Sequence, residues 1–308
     1  MNVRITPLDG KLPNLALMRL ASFHRENGDQ VTVTRSLTRE LGEPKPDVVY
    51  GSAIFNSSFR QVEDFRKQFP DAIIGGTGSG NWQTVEEIIG QEWLRVDYSD
   101  YPNCDASIGY TMQGCRFKCE FCIVPKKEGK PRATSTILDI WRGGLHSRKL
   151  LLLDSDFFGQ PEGAWRKRID EIRTGGFRVC LEQGINIRTI TDTQAASLAS
   201  IEYRCTKFQR RRLYCAWDRL RDERRFFDGV DRLDRAGIPP HHLRAYMLIG
   251  HDQEETIESR LYRFNRMVER GIEPYPMPID RKQKDLMAFS RWAATGLYRA
   301  VPWKEYRG

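Results

Sequence analysis

Short apolar segments alternate with amphipathic segments along the first hundred residues. The apolar segments are rich in β-branched residues, which is typical of strands; they lie at Val3–Ile5, Val31–Thr34, Asp47–Tyr50 and within Asp71–Gly80, where the strand runs into a glycine-rich turn. The amphipathic segments show helical spacing and run from Pro13 to Gly28, over 58–69 and over 82–89. Because strands that alternate with helices over short loops form parallel sheets, residues 1–104 are predicted to form a Rossmann-like α/β domain.

The alternation continues from Asp105 with a longer period. Strand-like segments occur at 106–111, 149–153, 177–181, 212–217, 243–249 and 273–278, and helical segments at 134–144, 162–174, 191–200, 219–236 and 254–270. Six successive β/α units predict a curved, mostly parallel sheet over 105–280, as in a full or partial (β/α)6 barrel. Residues 281–308 form a C-terminal extension, in which 284–299 is predicted to be an amphipathic helix.

Composition narrows the class of protein. A length of 308 residues suits about two domains, and 40% hydrophobic residues supply enough apolar material for a core, so a disordered chain is excluded. No apolar run approaches the ~20 residues that cross a bilayer. The first ten residues lack the pattern of an export signal, so we expect a cytoplasmic protein with no membrane partner. Seven cysteines, an odd number, favour metal binding or free thiols over a disulfide framework.

Three of these cysteines form the most specific motif of the chain. Cys115, Cys119 and Cys122 follow Gly114 at spacings of three and two residues, directly after the first strand of the second region. A loop with this spacing can surround one inorganic centre, and thiolates are soft ligands that select zinc or iron–sulfur clusters. A structural zinc site would need a distant fourth ligand, whereas three cysteines on a four-iron cluster leave one iron open. Most of the remaining cysteines are interpreted as ordinary buried thiols: Cys104, Cys180, Cys205 and Cys215.

This motif, with Phe121 before its last cysteine, resembles the signature of the radical S-adenosylmethionine (SAM) superfamily. The resemblance implies that Cys115, Cys119 and Cys122 hold a 4Fe–4S cluster and that SAM chelates its open iron. In that family an electron from the cluster cleaves SAM to methionine and a 5′-deoxyadenosyl radical, which abstracts hydrogen from the substrate. An electron donor such as flavodoxin or ferredoxin is implied as well. We therefore expect an enzyme of this superfamily that acts on an unknown substrate.

The end of the second strand carries polar residues where the family usually binds the SAM amino group. These residues are Asp154, Ser155 and Asp156, and the usual GGE motif is absent. A carboxylate or a hydroxyl can accept a hydrogen bond from an ammonium group. The Asp-Ser-Asp run also suits a helix N-cap, which is the alternative.

Later strands add candidates by the same resemblance. Residues 180–188 resemble the third-strand segment of cobalamin-type and methylthiotransferase-like members, where polar groups meet the SAM carboxylate or the substrate. Arg188 suits a bidentate pair with a carboxylate, and a surface salt bridge is the alternative. His251 is either an acid–base group or a structural histidine. The remaining candidates are Glu182 and Gln183 on the third strand, Asp218 facing the ribose or the substrate, and Ile249 and Gly250 packing on adenine.

The first hundred residues also resemble the cobalamin-binding type of domain that precedes many radical SAM domains. The likeness lies in residues 12–31 and 71–80, and the DxHxxG motif that supplies an axial histidine is absent. Either the domain binds cobalamin, which would make the protein a cobalamin-dependent methyltransferase, or it is degenerate and shapes the substrate site. A hypothesis from another class is a non-catalytic, metal-stabilised protein that binds nucleic acid.

The net charge of +8 is concentrated in two regions. Residues 126–132 hold four Lys or Arg against one Glu, and residues 204–235 hold eleven against six acidic residues. Such regions favour an anionic substrate, either RNA or a small metabolite. Residues 126–132 follow the cysteine loop and should lie at the mouth of the barrel, whereas Arg210–Arg212 precede the fourth strand and should lie at its amino end. The alternative is that the arginine-rich faces are solvated and interleaved with acids.

Overall fold

The computed structural model of the protein describes residues 1–306. The chain divides into two compact units, Met1–Asp105 and a second unit that begins at Ala106. Both units combine helices with parallel strands, so the predicted α/β class is confirmed. Among the helices of residues 1–306, none is both long and apolar enough to cross a bilayer.

Four parallel strands in the order β2–β1–β3–β4 form the sheet of the first unit. Ile5 of β1 packs with Leu17 and Leu20 in one apolar cluster, whereas Ile74 packs with Phe65 in another. The sheet is therefore covered on both faces, as its alternating pattern predicts. The elements are β1 (Asn2–Pro7), α1 (Leu15–Glu26), β2 (Gln30–Val33), β3 (Val48–Ser52), α2 (Phe59–Gln68), β4 (Ile73–Gly75) and α3 (Val85–Ile89).

The second unit contains two parallel sheets, in the orders β10–β9–β8–β5 and β11–β12–β13, and a small antiparallel ladder of β6 with β7. The Ile185 N–H group donates to the Tyr214 carbonyl at 2.8 Å and links the two parallel sheets. The strands are β5 (Ser107–Gly109), β6 (Met112–Gln113), β7 (Arg132–Ala133), β8 (Lys149–Leu152), β9 (Arg178–Leu181), β10 (Glu202–Tyr203), β11 (Leu213–Ala216), β12 (Leu243–Ile249) and β13 (Glu273–Pro278).

The predicted helices of this unit are present in the predicted order, with two clear differences in length. The helix predicted over 134–144 is a single turn, because Trp141 is extended and the following Gly143 has a positive φ. The predicted C-terminal helix likewise ends early, and Gly296 with a positive φ begins a separate short turn. The helices are α4 (Val124–Lys127), α5 (Ile137–Ile140), α6 (Glu162–Thr174), α7 (Asp192–Ala199), α8 (Glu223–Arg235), α9 (Ile257–Glu269) and α10 (Lys284–Ala294).

The strands of the second unit have two unlike faces, because successive side chains of a strand point to opposite sides. One face packs against the helices: Ala245 and Met247 of β12 share a large core with Phe226 of α8 and Phe289 of α10. The intervening residues of β12, Tyr246 among them, are half-buried. This second face, which we call the inner face, carries the polar residues discussed below.

Candidate functional site

The cysteine loop, residues 114–122, leaves the sheet through a tight backbone crossing. Gly114 is buried and has φ +85°, and a Cβ atom there would lie 2.4 Å from the Lys130 carbonyl oxygen. The Cys115 N–H donates to the Gly129 carbonyl at 3.4 Å. Only glycine fits this position, since other residues would combine a strained conformation with a backbone collision. The ends of segment 114–130 are therefore held together.

The three thiols of the motif are half-exposed and free of disulfides. The pKa of Cys115 is raised to about 11, chiefly by burial and in smaller part by the charges of Asp156, Cys122 and Cys119. Burial also raises the pKa of Cys122, and the charge of Cys119 raises it in the same direction. The thiols are thus close enough to influence one another. Within residues 1–306, no three His, Cys, Asp or Glu side chains already adopt the arrangement of metal ligands, but three free thiols on one loop fit a thiolate-ligated centre chemically.

Asp156, which follows β8, holds the cysteine loop. Its side chain is buried, with the residue 3% exposed. Its carboxylate accepts two hydrogen bonds from the Arg116 guanidinium, from Nε at 2.7 Å and from Nη2 at 3.0 Å. It makes no cap hydrogen bond to the short helix that follows it. Both oxygens are used by the cysteine loop, so Asp156 supports the loop directly.

Arg188, after β9, reaches the same loop. Its Nη1 donates to Asp222 at 2.8 Å, and its guanidinium lies 5.7 Å from the centre of the Phe117 ring. Burial lowers the pKa of Arg188, but hydrogen bonds to Asp222 and to Cys119 outweigh burial, so the pKa is raised. The arginine therefore pairs with Asp222 and touches the cysteine loop.

Asp218 and His251, at the ends of β11 and β12, lie near the cysteine loop. The rings of Phe121 and His251 meet edge to face with centroids 4.9 Å apart. Both ring nitrogens of His251 are buried and have no hydrogen-bond partner within residues 1–306. Asp218 accepts from the Leu248 N–H at 2.9 Å. Burial raises the pKa of Asp218, although that hydrogen bond and the charges of Arg263 and His251 lower it in part. Side chains from three neighbouring strands thus converge on the loop.

Asp154 is 3% exposed, and its hydrogen bonds are with the chain between β5 and β6 rather than with the cysteine loop. Its carboxylate accepts from the backbone N–H groups of Thr111 and Met112, each at 2.7 Å, and from the Thr111 hydroxyl at 3.2 Å. Burial raises its pKa to about 7, although these hydrogen bonds act in the opposite direction. Asp154 therefore fixes the chain between β5 and β6, and its predicted contact with the SAM amino group stays a prediction.

Glu128 is a site residue that the sequence analysis missed. One oxygen of its carboxylate accepts from the Gly114 N–H at 3.0 Å and from the Ser155 hydroxyl at 3.1 Å. Its charge contributes to the raised pKa of Cys122. The sequence signal was weak, because Glu128 is the single acid in a run of lysines. Among the three predicted residues after β8, Ser155 is half-buried and lies beside this carboxylate.

The remaining predicted residues divide between the two faces of the sheet. Ile249 is 0% exposed and packs in the helix-facing core, so its predicted contact with adenine could involve only its backbone. The Gly250 N–H donates to Glu255 at 2.7 Å. Gln183 is exposed, and Glu182 is half-buried on the inner face, beside Tyr246.

The two basic regions differ in how their charge is compensated. Lys126, Lys127 and Lys130 are exposed and make no ion pair within residues 1–306. In contrast, most arginines of region 204–235 pair with acids: Arg204 and Arg211 with Glu202, Arg212 with Glu273, Arg219 with Glu120, Arg224 with Asp228, and Arg232 and Arg235 with Asp192. The structure favours the interleaved alternative for that region.

The first unit offers no histidine suited to an axial cobalt ligand. His24, the single histidine of residues 1–105, contacts Asp29 at 2.7 Å and the Tyr50 hydroxyl at 3.1 Å. A Cβ on Gly76, in the glycine-rich turn, would lie 2.3 Å from the Ala53 carbonyl oxygen, so this turn packs tightly on the neighbouring loop. Cobalamin binding stays a prediction.

No protein-family model matches this chain, and no curated protein matches it. The features of the chain that bear on its function are therefore the cysteine loop and the side chains that contact it.

Replacing Asp154 with Asn should change how stability depends on pH. The folded protein retains the Asp154 proton up to about pH 7, whereas the unfolded chain releases it near the ordinary aspartate pKa of 3.8. Unfolding between these values releases a proton, so the wild-type free energy of unfolding should fall as pH rises, relative to Asp154→Asn. The difference in free energy of unfolding between the two proteins should change by at most about 1.4 kcal/mol per pH unit. Denaturant unfolding of both proteins between about pH 4 and 8 measures it, and parallel stability curves would contradict the assignment.

Proposed function

We propose that this protein is a radical SAM enzyme in which Cys115, Cys119 and Cys122 hold a 4Fe–4S cluster. The observation that carries the proposal is the cysteine loop itself. It follows the first strand of the second unit, and side chains that follow β8, β9, β11 and β12 contact it or lie beside it. Ligands of parallel α/β folds bind at the carboxyl ends of the strands, which is where these side chains lie.

The proposal includes closure of the two parallel sheets into one partial barrel. Support comes from a small apolar cluster that combines Ala106, Cys180 and Phe208 with Tyr214 of the other sheet. The hydrogen bond from Ile185 to Tyr214 also joins the sheets. A curved sheet of this kind would give the half-buried inner face an enclosed position.

When bound, the cluster supplies the electron for reductive cleavage of SAM, and a small redox protein such as flavodoxin or ferredoxin restores that electron. The chain's own residues orient the cofactor. Glu128 and Ser155 offer a carboxylate and a hydroxyl to the SAM amino group, and Asp218 offers its carboxylate to the ribose. Phe117 and Phe121 on the loop limit the access of water. A fixed arrangement of this kind contributes to catalysis because the reacting groups need no further ordering.

Loss of any motif cysteine should abolish iron binding. Protein reconstituted anaerobically with iron and sulfide should hold about four irons per chain, and Cys115→Ala, Cys119→Ala or Cys122→Ala should hold far less. Cys104→Ala is the matched control and should load normally. Iron and sulfide analysis with electron paramagnetic resonance measures the outcome, together with 5′-deoxyadenosine release from SAM under reduction. Zinc in the site after this preparation would refute the cluster.

Glu128→Gln should weaken SAM binding to the reconstituted protein. The amide can still accept from Gly114 and Ser155, but it loses the charge that attracts an ammonium group, so we expect roughly a tenfold lower affinity. Glu162→Gln, in a surface ion pair on α6, is the control. Isothermal titration measures the affinity. Unchanged binding in both Glu128→Gln and Ser155→Ala would remove these residues from the cofactor site.

The unpaired lysines after the loop favour RNA as the substrate. A triple Gln variant at Lys126, Lys127 and Lys130 should bind single-stranded RNA more weakly and reduce the salt slope by about 0.7 per lost phosphate contact. Its matched control is a triple Gln variant of exposed, ion-paired arginines at Arg211, Arg224 and Arg235. Fluorescence anisotropy at several salt concentrations gives both slopes. RNA affinity that is absent at ~50 mM salt, or independent of salt, would favour a small substrate instead.

A further inference from the structure

Glu182 has a half-buried carboxylate without a partner. Its backbone is fixed, because its N–H donates to the Leu152 carbonyl at 3.1 Å and its carbonyl accepts from the Tyr246 hydroxyl at 3.4 Å. Its carboxylate makes no hydrogen bond or ion pair within residues 1–306. Burial raises its pKa, and no other interaction opposes that effect.

The neighbouring acids behave differently. Asp154, Asp156 and Asp218 each accept at least one backbone N–H, and Asp156 pairs with an arginine as well. Burying a carboxylate without such a donor is unfavourable. Because the carboxylate of Glu182 is only half-buried, a ligand that carries N–H donors can reach it and satisfy it.

Tyr246, which lies beside Glu182, belongs to a group of aromatic residues on the inner face. Tyr246 stacks on Tyr214 with ring centroids 5.8 Å apart and an interplanar angle of 8°. Tyr275 meets Tyr246 edge to face at 5.9 Å and is 38% exposed. Ala216 is paired in register with Tyr246 and leaves space beside the ring. The nearby Arg244 pairs with Glu273, so its charge is already compensated.

The charge of Glu182 acts on different groups from the charges of the acids beside the cysteines. The charges of Glu128 and Asp218 affect the pKa of Cys122, whereas the charge of Glu182 affects Cys180 and Tyr246. Cys180 belongs to the apolar cluster with Phe208 and Tyr214. The Glu182 carboxylate therefore lies beside this cluster on the inner face.

We propose that Glu182 and Tyr246 form a substrate pocket for a planar ring that carries an amino group. The ring of the substrate lies against the tyrosines of the inner face, and its N–H donors satisfy the Glu182 carboxylate. The negative charge of Glu182 repels anionic groups, so any phosphates of the substrate must lie elsewhere. The inference rests on the proposed function, because it names the class of group that would be presented to the reactive end of the cofactor.

The test compares two rings that differ in one amino group. Cytidine carries an exocyclic amine where uridine carries a carbonyl oxygen. Titrated at about pH 8, where ordinary carboxyl groups are ionised, the wild-type protein should bind cytidine about tenfold more tightly than uridine, as expected for a hydrogen bond to a charged group. Glu182→Gln should lose most of this preference, because an amide can pair with either ring. Glu254→Gln, at an exposed glutamate, should retain it.

Equal binding of the two nucleosides, binding of neither, or a preference that survives Glu182→Gln would overturn the proposal. A loss of SAM affinity in Glu182→Gln, without any nucleoside preference in the wild type, would instead assign Glu182 to the cofactor. The titration needs no cluster. If iron binding fails but the cytidine preference holds, the radical mechanism is wrong and the pocket remains.

Discussion

The buried carboxylate of Asp154 determines where the cysteine loop begins. It holds the N–H groups of Thr111 and Met112 directly after β5, so the chain turns toward Gly114 in one fixed direction. Its neighbours after β8 support the loop: Asp156 binds Arg116, and Ser155 binds Glu128, which accepts from the Gly114 N–H. Three consecutive residues therefore join β5 and β8 to the site.

The loop is then oriented by side chains from positions that are far apart in the sequence. Arg188, Arg219 and His251 come from three different strand ends and contact Phe117, Glu120 and Phe121 respectively. Ionic and aromatic contacts of this kind are individually weak. Acting together on nine residues, they restrict the loop far more than any one would, and the half-buried thiols remain on the side that faces the strand ends.

The sequence patterns predicted the helices and strands well, but they did not predict which side chains contact one another. The predicted strand 243–249 and helix 162–174 agree with β12 and α6 at both ends, because a long periodic segment averages over many residues. The two-residue strand β10 has no period to detect. Three polar residues in a row after β8 could not be told apart, since their roles depend on partners about 30 to 40 positions away. Glu128 was missed because it is the single acid in a run of lysines.

The raised pKa values of Cys115 and Cys122 have a practical consequence. With Cys115 titrating at about 11 and Cys122 also above its ordinary value, both thiols are protonated in neutral solution. Oxidants and alkylating reagents attack the thiolate, so these two thiols should react more slowly than an ordinary exposed cysteine. Binding of the proposed cluster would have to expel these protons, so mildly alkaline buffer should favour its assembly.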